Sequence, residues 1–597
     1  MTRAKLLVAL ACTGILVTSG QAALAAEAAG ATPADRQAAI GQQVQGFTLD
    51  DYRGRSRSLD DFADSQLVVL AFLGTECPLV KLYAPRLADL AEEYGSRGVA
   101  FVGINSNQQD SIQEISHFAR KHEIDFPILK DPGNSIADQL GAMRTPEVFV
   151  LDDERRIRYW GRIDDQYTPG IARPAPKQRD LADALDSLLS GEAVAAAVTD
   201  APGCHIGRVQ RPQPSGDVTY ANQISRVFQA HCLECHREDQ VAPFALTSYD
   251  EVVGWAEMIR EVVEEGRMPP WHADPRHGEF VNDPSLTAEE KDLIYKWVEN
   301  GCPLGDESQL PPPREFVEGW RIPEPDEVFY MSAAPVTVPA EGTVDYMHLM
   351  VDPGFTEDRW IQAAEARPGN AAVVHHIIVF VQEPGQRGGF ANPQMGYAPG
   401  MPPRQFPEGM AIRIPAGAQL MFQMHYTPIG TPQQDRSYVG FKYADPDTVT
   451  HEVVGGASGD VGFRIPPGDD NYKVTSRRKF RRPTHLLSLL PHMHLRGKSF
   501  RIELEYPDGE QEVLLDVPNY DFNWQMWYNY ADPKPIPKGT LMHCTAYFDN
   551  SADNPVNPDP TATVTWGEQT WEEMMFGFYS VVEPREDLPP QAAESGD

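Results

Sequence analysis

Cysteine is scarce in this sequence. Seven in 597 residues cannot staple so long a chain as a disulfide scaffold, so each is read singly. Basic residues are scarce too: 51 Lys and Arg stand against 86 Asp and Glu, a formal charge of −35. Phosphate polyanions would be repelled, which excludes nucleic acid and anionic membrane as partners. Beyond residue 25 no apolar run approaches the roughly 20 residues that a bilayer span needs. No repeat of fixed period is visible, which excludes a solenoid. Proline and glycine are plentiful, 52 and 47 residues, and suit loop-rich β domains joined by stiff linkers. Hydrophobic residues make up 41%, enough for several ordinary cores, and the length suggests about four domains.

The one early apolar run, Leu6 to Val17, follows Arg3 and Lys5 and ends at Ala23-Leu24-Ala25. A basic start, a short apolar core and an A-x-A end make residues 1–25 an expected signal peptide. The mature chain is expected to be periplasmic or secreted, with no transmembrane segment after cleavage and with Cys12 removed. Gln210 to Asp217 and Leu310 to Arg314 read as linkers. Between them, apolar strand-like runs alternate with helical patterns over 40–200, an α/β signature. A mostly helical block follows over 218–306, clearest in Ile224 to Ala230, Val252 to Glu265 and Thr287 to Asn300. From about 315 onward, short alternating runs broken by Pro and Gly indicate all-β antiparallel sandwiches; their division into two of jelly-roll type, over 318–452 and 453–585, is implied by the resemblance that the histidine motifs carry.

In the first block the run Leu67 to Leu73 enters Gly74-Thr75-Glu76-Cys77-Pro78, with a helical pattern behind it. This sets the Cys77 sulfur at a helix N-terminus, where the dipole favours thiolate. Downstream, Arg144-Thr145-Pro146-Glu147 leads into another strand. The layout resembles the thioredoxin-like redoxins, which implies a cis Thr145–Pro146 bond facing the thiol and makes Cys77 a redox candidate. The usual C-x-x-C reads Cys77-Pro78-Leu79-Val80, so a local resolving thiol is missing. The peroxiredoxin Thr three residues before the Cys is Gly74. Cys204, just past the domain, is the remaining resolving candidate if the chain folds back. An inert or disulfide-locked Cys77 is the alternative.

Cys232-Leu233-Glu234-Cys235-His236 is the C-x-x-C-H haem-attachment signature, in which two thiols form thioethers and His236 ligates the iron. A structural disulfide or zinc site is its rival. Met268, in Arg267-Met268-Pro269-Pro270-Trp271, is the expected distal ligand, with His272 and His277 as rivals; a thioether ligand raises the potential. The block resembles a small all-α cytochrome c domain carrying one covalent haem c, with Trp297 on its closing helix.

Nine of the sixteen histidines follow residue 320. His375-His376 lies in a strand-like run, where adjacent side chains point to opposite faces unless a bulge or twist intervenes. His425 sits in Met424-His425-Tyr426. His492-Met493-His494 has the spacing that sends two imidazoles to one strand face. Met574 closes the set in Glu572-Glu573-Met574-Met575, with Met575 as a one-residue alternative. Imidazoles with one thioether select copper. These motifs, in this order, resemble the type II copper monooxygenases that include the peptidylglycine and dopamine hydroxylases. The resemblance implies two copper ions: an electron-transfer ion on His375, His376 and His425, and an oxygen-activating ion on His492, His494 and Met574, which makes those three catalytic. His348 and His543 are left as supporting or surface groups.

In the peptidylglycine enzymes an Arg two positions before the H-x-H pair anchors a substrate carboxylate; here it is Leu490. Their Asn and Tyr after the metal-binding Met are Phe576 and Phe578. An apolar pocket is expected, and a substrate other than a C-terminal glycine peptide. The expected function is hydroxylation of a C–H bond of a small or apolar molecule with O2, electrons arriving through the fused haem from an external donor. The alternatives are a non-catalytic copper and haem electron carrier or redox sensor, and a thiol-dependent peroxidase or reductase working through Cys77. Cys302 and Cys544 either pair across blocks or stay buried thiols.

Overall fold

The computed structural model describes residues 32–209, 215–238, 240–385 and 395–585. The expected signal segment lies outside the described residues, as do part of the first linker and the acidic tail from 586 onward. Among the described residues no helix is long and apolar enough to cross a membrane.

The first block is the expected α/β domain. Its five-stranded sheet runs in the order Ile128–Lys130, Val99–Asn105, Leu67–Phe72, Glu147–Leu151, Ile157–Gly161. The first three strands are parallel and the last two antiparallel to their neighbours. Leu67–Phe72 is buried at every residue, as an unbroken apolar run in a central strand requires. Helices Pro78–Gly95, Ile112–Lys121 and Asp180–Leu189 complete the domain. The second of these opens on a capping box in which Ser111 and Glu114 satisfy each other's backbone N–H.

The second block is helical: Ser225–His231, Tyr249–Gly254, Ala256–Glu264 and Ala288–Glu299. The single helix expected over 252–265 is two, divided at Trp255. That indole is 2% exposed and stacks on Phe244 with ring centroids 3.9 Å apart, a packing demand that overrides helical continuity. Trp297 is fully buried on the closing helix and donates to the Pro303 carbonyl. The apolar core of this block is continuous with that of the α/β domain.

The remainder is β-rich. Two four-stranded sheets, one containing Val374–Gln382 and Gln419–Tyr426, the other Gly497–Glu505 and Leu541–Phe548, cover two separate cores. The sandwiches are not independent, which amends the expected division at 452/453. His451–Gly459 pairs in parallel with Met410–Ile414 and antiparallel with Phe576–Pro584. One nine-stranded sheet therefore runs through both halves. Joining the edges satisfies backbone groups that two separate sheets would leave exposed. Cys302 and Cys544 are fully buried thiols in different cores, so the cross-block pairing does not form.

The helical block also docks on the C-terminal sandwich. Trp271, Ala273 and Phe280 pack against the sandwich core, with Trp271 4.7 Å from Tyr528 between centroids. The Val281 N–H donates to the Asn529 carbonyl at 2.9 Å.

Candidate functional site

Cys77 caps the N-terminus of helix Pro78–Gly95, and Pro78 at the first helical position forgoes an N–H that would be unpaired anyway. The sulfur is fully buried and donates to the Thr145 carbonyl at 3.1 Å. The Thr145–Pro146 bond is cis, as the redoxin resemblance implies. The chain does fold back: Cys204–His205 forms a short antiparallel ladder with Arg144–Thr145, Cys204 opposite Thr145. Both thiols thus meet at Thr145, Cys77 on its carbonyl and Cys204 opposite it in the ladder. Burial opposes ionisation of Cys77, but the polar groups around it, the Val80 N–H among them, outweigh it and pull its thiol below the usual range. Cys204 moves the opposite way, because it lies beside Cys77 and is itself buried. One ready thiolate and one reluctant thiol are what a thiol–disulfide pair requires.

Beside the pair, Glu76 is held up at about 7, first by burial and then by the Asp110 charge, with Lys81 opposing. The helical block covers this site. Arg144 and His205, the neighbours of Thr145 and Cys204, both bind Glu261 of helix Ala256–Glu264, at 2.5 and 2.8 Å. Arg267 binds the other oxygen of Glu261 at 2.8 Å. Those cations and the His205 bond outweigh burial and hold the Glu261 carboxyl well below the usual range. The contact is tight enough to need glycine at Gly207, where a Cβ would lie 2.7 Å from the Gly254 carbonyl oxygen. No short motif marks Glu261, so sequence reading missed it.

In the C-x-x-C-H segment the His236 N–H donates to the Cys232 carbonyl at 3.0 Å, closing a turn. Its Nδ1 lies 3.2 Å from the Phe244 carbonyl. A carbonyl only accepts, so Nδ1 carries the proton and Nε2 is left for iron. Cys232 and Cys235 are half-buried free thiols on the same turn, and these groups fit a covalent haem. Met268 follows helix Ala256–Glu264, with its N–H on the Val262 carbonyl. His272 instead belongs to the stretch that docks on the sandwich, beside Trp271 and Ala273.

His375, His376 and His425 converge. One ligand atom from each lies within 4.8 Å of the others. The neighbouring pair is made possible by a register shift between Val374 and His376, the bulge that adjacent ligands on a strand require. His376 and His425 are cross-strand partners. Burial lowers all three imidazoles, His375 to about 4 and the others well below their usual range, so they stay neutral and ligand-ready. Neither His376 nitrogen has a hydrogen-bond partner, a costly orphan that a metal would satisfy.

The second set is built differently from the expected i, i+2 strand pair. His492 ends strand Thr484–His492 and His494 lies in the turn beyond. The rings are 5.3 Å apart and perpendicular. Nδ1 of His492 meets the Gln525 Oε1 at 2.8 Å, and Nδ1 of His494 meets the Glu572 carbonyl at 3.3 Å. Both Nε2 atoms are thereby left as acceptors, and that of His494 is buried and unpartnered. Glu573 gathers the turn: Oε2 accepts from the His494 and Met574 N–H groups and Oε1 from the Arg496 N–H. Met574 therefore sits by His494, whereas Met575 is a fully buried core residue. Neutral imidazoles with an orphaned nitrogen at His376 and at His494 fit copper in both clusters, and the backbone of Met574 is tied to that of His494 through Glu573 in the second. Phe522 links them, its ring 5.8 Å from His375 and 6.0 Å from His494. His348 bonds Gln423, which lies two residues before His425 on the same strand, whereas His543 pairs with Glu505.

Comparison with known proteins locates the similarity in the first domain. The AhpC/TSA family matches residues 40–160. Thiol-disulfide oxidoreductase ResA of Halalkalibacterium halodurans is 30% identical over 125 residues, 21% of this chain and 69% of that protein. Chloroplastic peroxiredoxin Q of Sedum lineare is 32% identical over 113 residues, 18% of this chain and 59% of that protein. The chain spans about two thirds of the length of the ResA relatives it matches. Among solved structures, a hypothetical protein from Sinorhizobium meliloti shares 33% identity, covering 28% of this chain and 94% of that one, with a TM-score of 0.27.

Proposed function

Through residues 40–160 the chain belongs to the AhpC/TSA family of thioredoxin-like redoxins, and from that premise we propose that it is an exported thiol–disulfide oxidoreductase whose redox pair is Cys77 and Cys204. The observation that carries this reading is the meeting of both cysteines at Thr145, Cys77 with its sulfur on the carbonyl and Cys204 opposite it in the short ladder, one thiol lowered and the other raised. The Cys77 thiolate attacks a substrate disulfide, Cys204 resolves the mixed disulfide, and two electrons leave with the reduced substrate while Cys77–Cys204 becomes the disulfide. Equilibration against dithiothreitol followed by peptide mapping tests it. A Cys77–Cys204 disulfide that exchanges with substrate is expected, and loss of exchange in Cys77→Ser but not Cys302→Ser.

The convergence of His375, His376 and His425 favours a second activity in the same chain. We propose that these residues hold one copper ion, and that His492, His494 and Met574 hold another. Copper there would supply one-electron chemistry with O2 toward hydroxylation of a C–H bond. Burial keeps the five imidazoles neutral, Gln525 and the Glu572 carbonyl orient His492 and His494, and Glu573 fixes the turn. Cys232, Cys235, His236 and Met268 are the residues that would hold the proposed haem, which would bring electrons from an external donor. Metal analysis of the exported protein, expected to give two coppers and one haem, tests this reading, and a copper-free protein overturns it.

A further inference from the structure

The strand Met347–Val351 forms the edge of its four-stranded sheet, beside Gln419–Tyr426. Met347, Leu349 and Val351 turn to the core of the N-terminal sandwich, as do Leu420, Phe422, Met424 and Tyr426 of the neighbouring strand. Alternation then sends His348 and Met350 to the opposite face, together with Met421, Gln423 and His425. The register sets Met350 opposite Met421 and His348 opposite Gln423, and one step further in, His376 lies opposite His425. One face of the sheet therefore carries, in order, two thioethers, an imidazole beside an amide, and two imidazoles of the three-histidine cluster. Met421 and His425 are four residues apart, about 13 Å along the strand.

The outer end of this row is open to solvent and the inner end is closed. Met350 is 51% exposed, whereas Gln423 and His376 are 5% and 4% exposed; His348 is exposed and Met421 half-buried. A single exposed apolar side chain is ordinary, and what distinguishes Met350 is its neighbours. Cross-strand partners hold their Cβ atoms about 5 Å apart, so two flexible methionine side chains can turn both sulfurs to one ion. His348 stands about 7 Å along the strand from Met350 on the same face. Its Nε2 lies 3.0 Å from the Gln423 Nε2. An amide nitrogen only donates, so the imidazole lone pair is on Nε2 and is directed toward the strand that carries Met421. A neutral hydrogen bond of this kind contributes little net and gives way to a coordinating ion. Two thioethers and an imidazole, with no carboxylate among the three, select Cu(I) over hard divalent cations.

We propose that His348, Met350 and Met421 form an outer Cu(I) site, from which the ion passes along the strand to His425 and the three-histidine cluster without change of oxidation state. The outer site stands on its own three side chains, and only its role as a point of entry rests on the copper reading of the cluster. Its ligands are neutral and partly open to water, so the ion is held loosely and leaves on dialysis, while the histidine clusters keep theirs.

Anaerobic titration of the full-length protein with Cu(I), followed by NMR of isotope-labelled methionine methyls, tests the proposal. The Met350 and Met421 signals, assigned through Met350→Leu and Met421→Leu, are expected to shift together and saturate with one equivalent. Leucine conserves the side-chain volume. Met421→Leu and His348→Gln are each expected to weaken the binding read at Met350 by tenfold or more. A Met350 signal that stays still, or that moves equally in Met421→Leu, overturns the outer site. Starting from copper-free protein, Met421→Leu is expected to slow loading of the three-histidine cluster several-fold while leaving the copper retained after dialysis unchanged, and an unchanged rate overturns the passage inward. The same samples separate the two readings. Methionine shifts in a protein that retains no copper after dialysis remove the cluster reading alone, and two retained coppers with silent methionines remove the outer site alone.

Discussion

Arg144 reaches across a domain boundary to Glu261, Nη2 to Oε2 at 2.5 Å. Arg144 precedes the residue whose carbonyl receives the Cys77 thiol, and Glu261 also binds His205, the neighbour of Cys204. The helical block is thus fastened to the strands that carry both sides of the thiol pair, and its core continues theirs.

That fastening makes thiol reactivity depend on docking. Glu261→Ala leaves Arg144, His205 and Arg267 without their shared acceptor. Cys77 and Cys204 should then react several-fold faster with a thiol reagent, while buried Cys544, in a different core, keeps its rate. Mass spectrometry of the labelled peptides reads both in one experiment. Equal rates for Cys77 in the two proteins would show that the ion-pair hub does not control access.

Glu76 gives the pH dependence a defined sign. Its folded carboxyl titrates at about 7, against a usual 4.5, mainly because it is buried. Between these values the unfolded chain has released a proton that the folded chain retains, so this group makes stability fall as pH rises from 4.5 to 7. Glu76→Gln removes the dependence. The variant's thermal midpoint should match the parent's near pH 4.5 and exceed it increasingly up to about pH 7, then by a constant margin. A gap that does not change with pH would contradict the assignment.

For the histidine clusters, His376→Ala and His494→Ala should each remove one copper ion, and the double variant both, as read by metal analysis after dialysis. Glu573→Gln should weaken copper only at the second cluster, because its carboxylate holds the His494 and Met574 backbone and touches no ligand of the first. Equal loss at both clusters would mean that Glu573 supports the fold rather than that turn.

For the proposed haem, Met268→Ala is expected to lower the reduction potential, as loss of a thioether ligand would, whereas His272→Ala should leave the potential unchanged, since its segment is held against the sandwich. Potentiometric titration followed by optical spectroscopy distinguishes them. The reverse pattern would assign the iron to His272.

Much of this was legible in the sequence where chemistry is local. The run before Cys77, the cis Thr145–Pro146 bond and the His375-His376 pair each carry their meaning within a few residues. The need for a bulge at the histidine pair follows from strand geometry alone, and the register shift at Val374/His376 supplies it. What was hidden depends on distant partners. The strand of Cys204 is two residues long, too short for any periodicity, and pairs only because the chain returns to Arg144–Thr145. The joined sheet between the sandwiches leaves no trace in the alternation of either strand. Glu261, Glu573 and Phe522 are ordinary residues in sequence, and only the fold gives them their neighbours. His494 shows the opposite error, where a simple i, i+2 rule was applied past the end of its strand.

The most direct measurement is the redox titration of the full chain against dithiothreitol, with every cysteine mapped at each potential. A single two-electron transition joining Cys77 to Cys204, absent in Cys204→Ser and leaving Cys302 and Cys544 reduced throughout, is the predicted result. Cys77 and Cys204 that remain separate thiols under oxidising buffer, or that link to other partners, would contradict it.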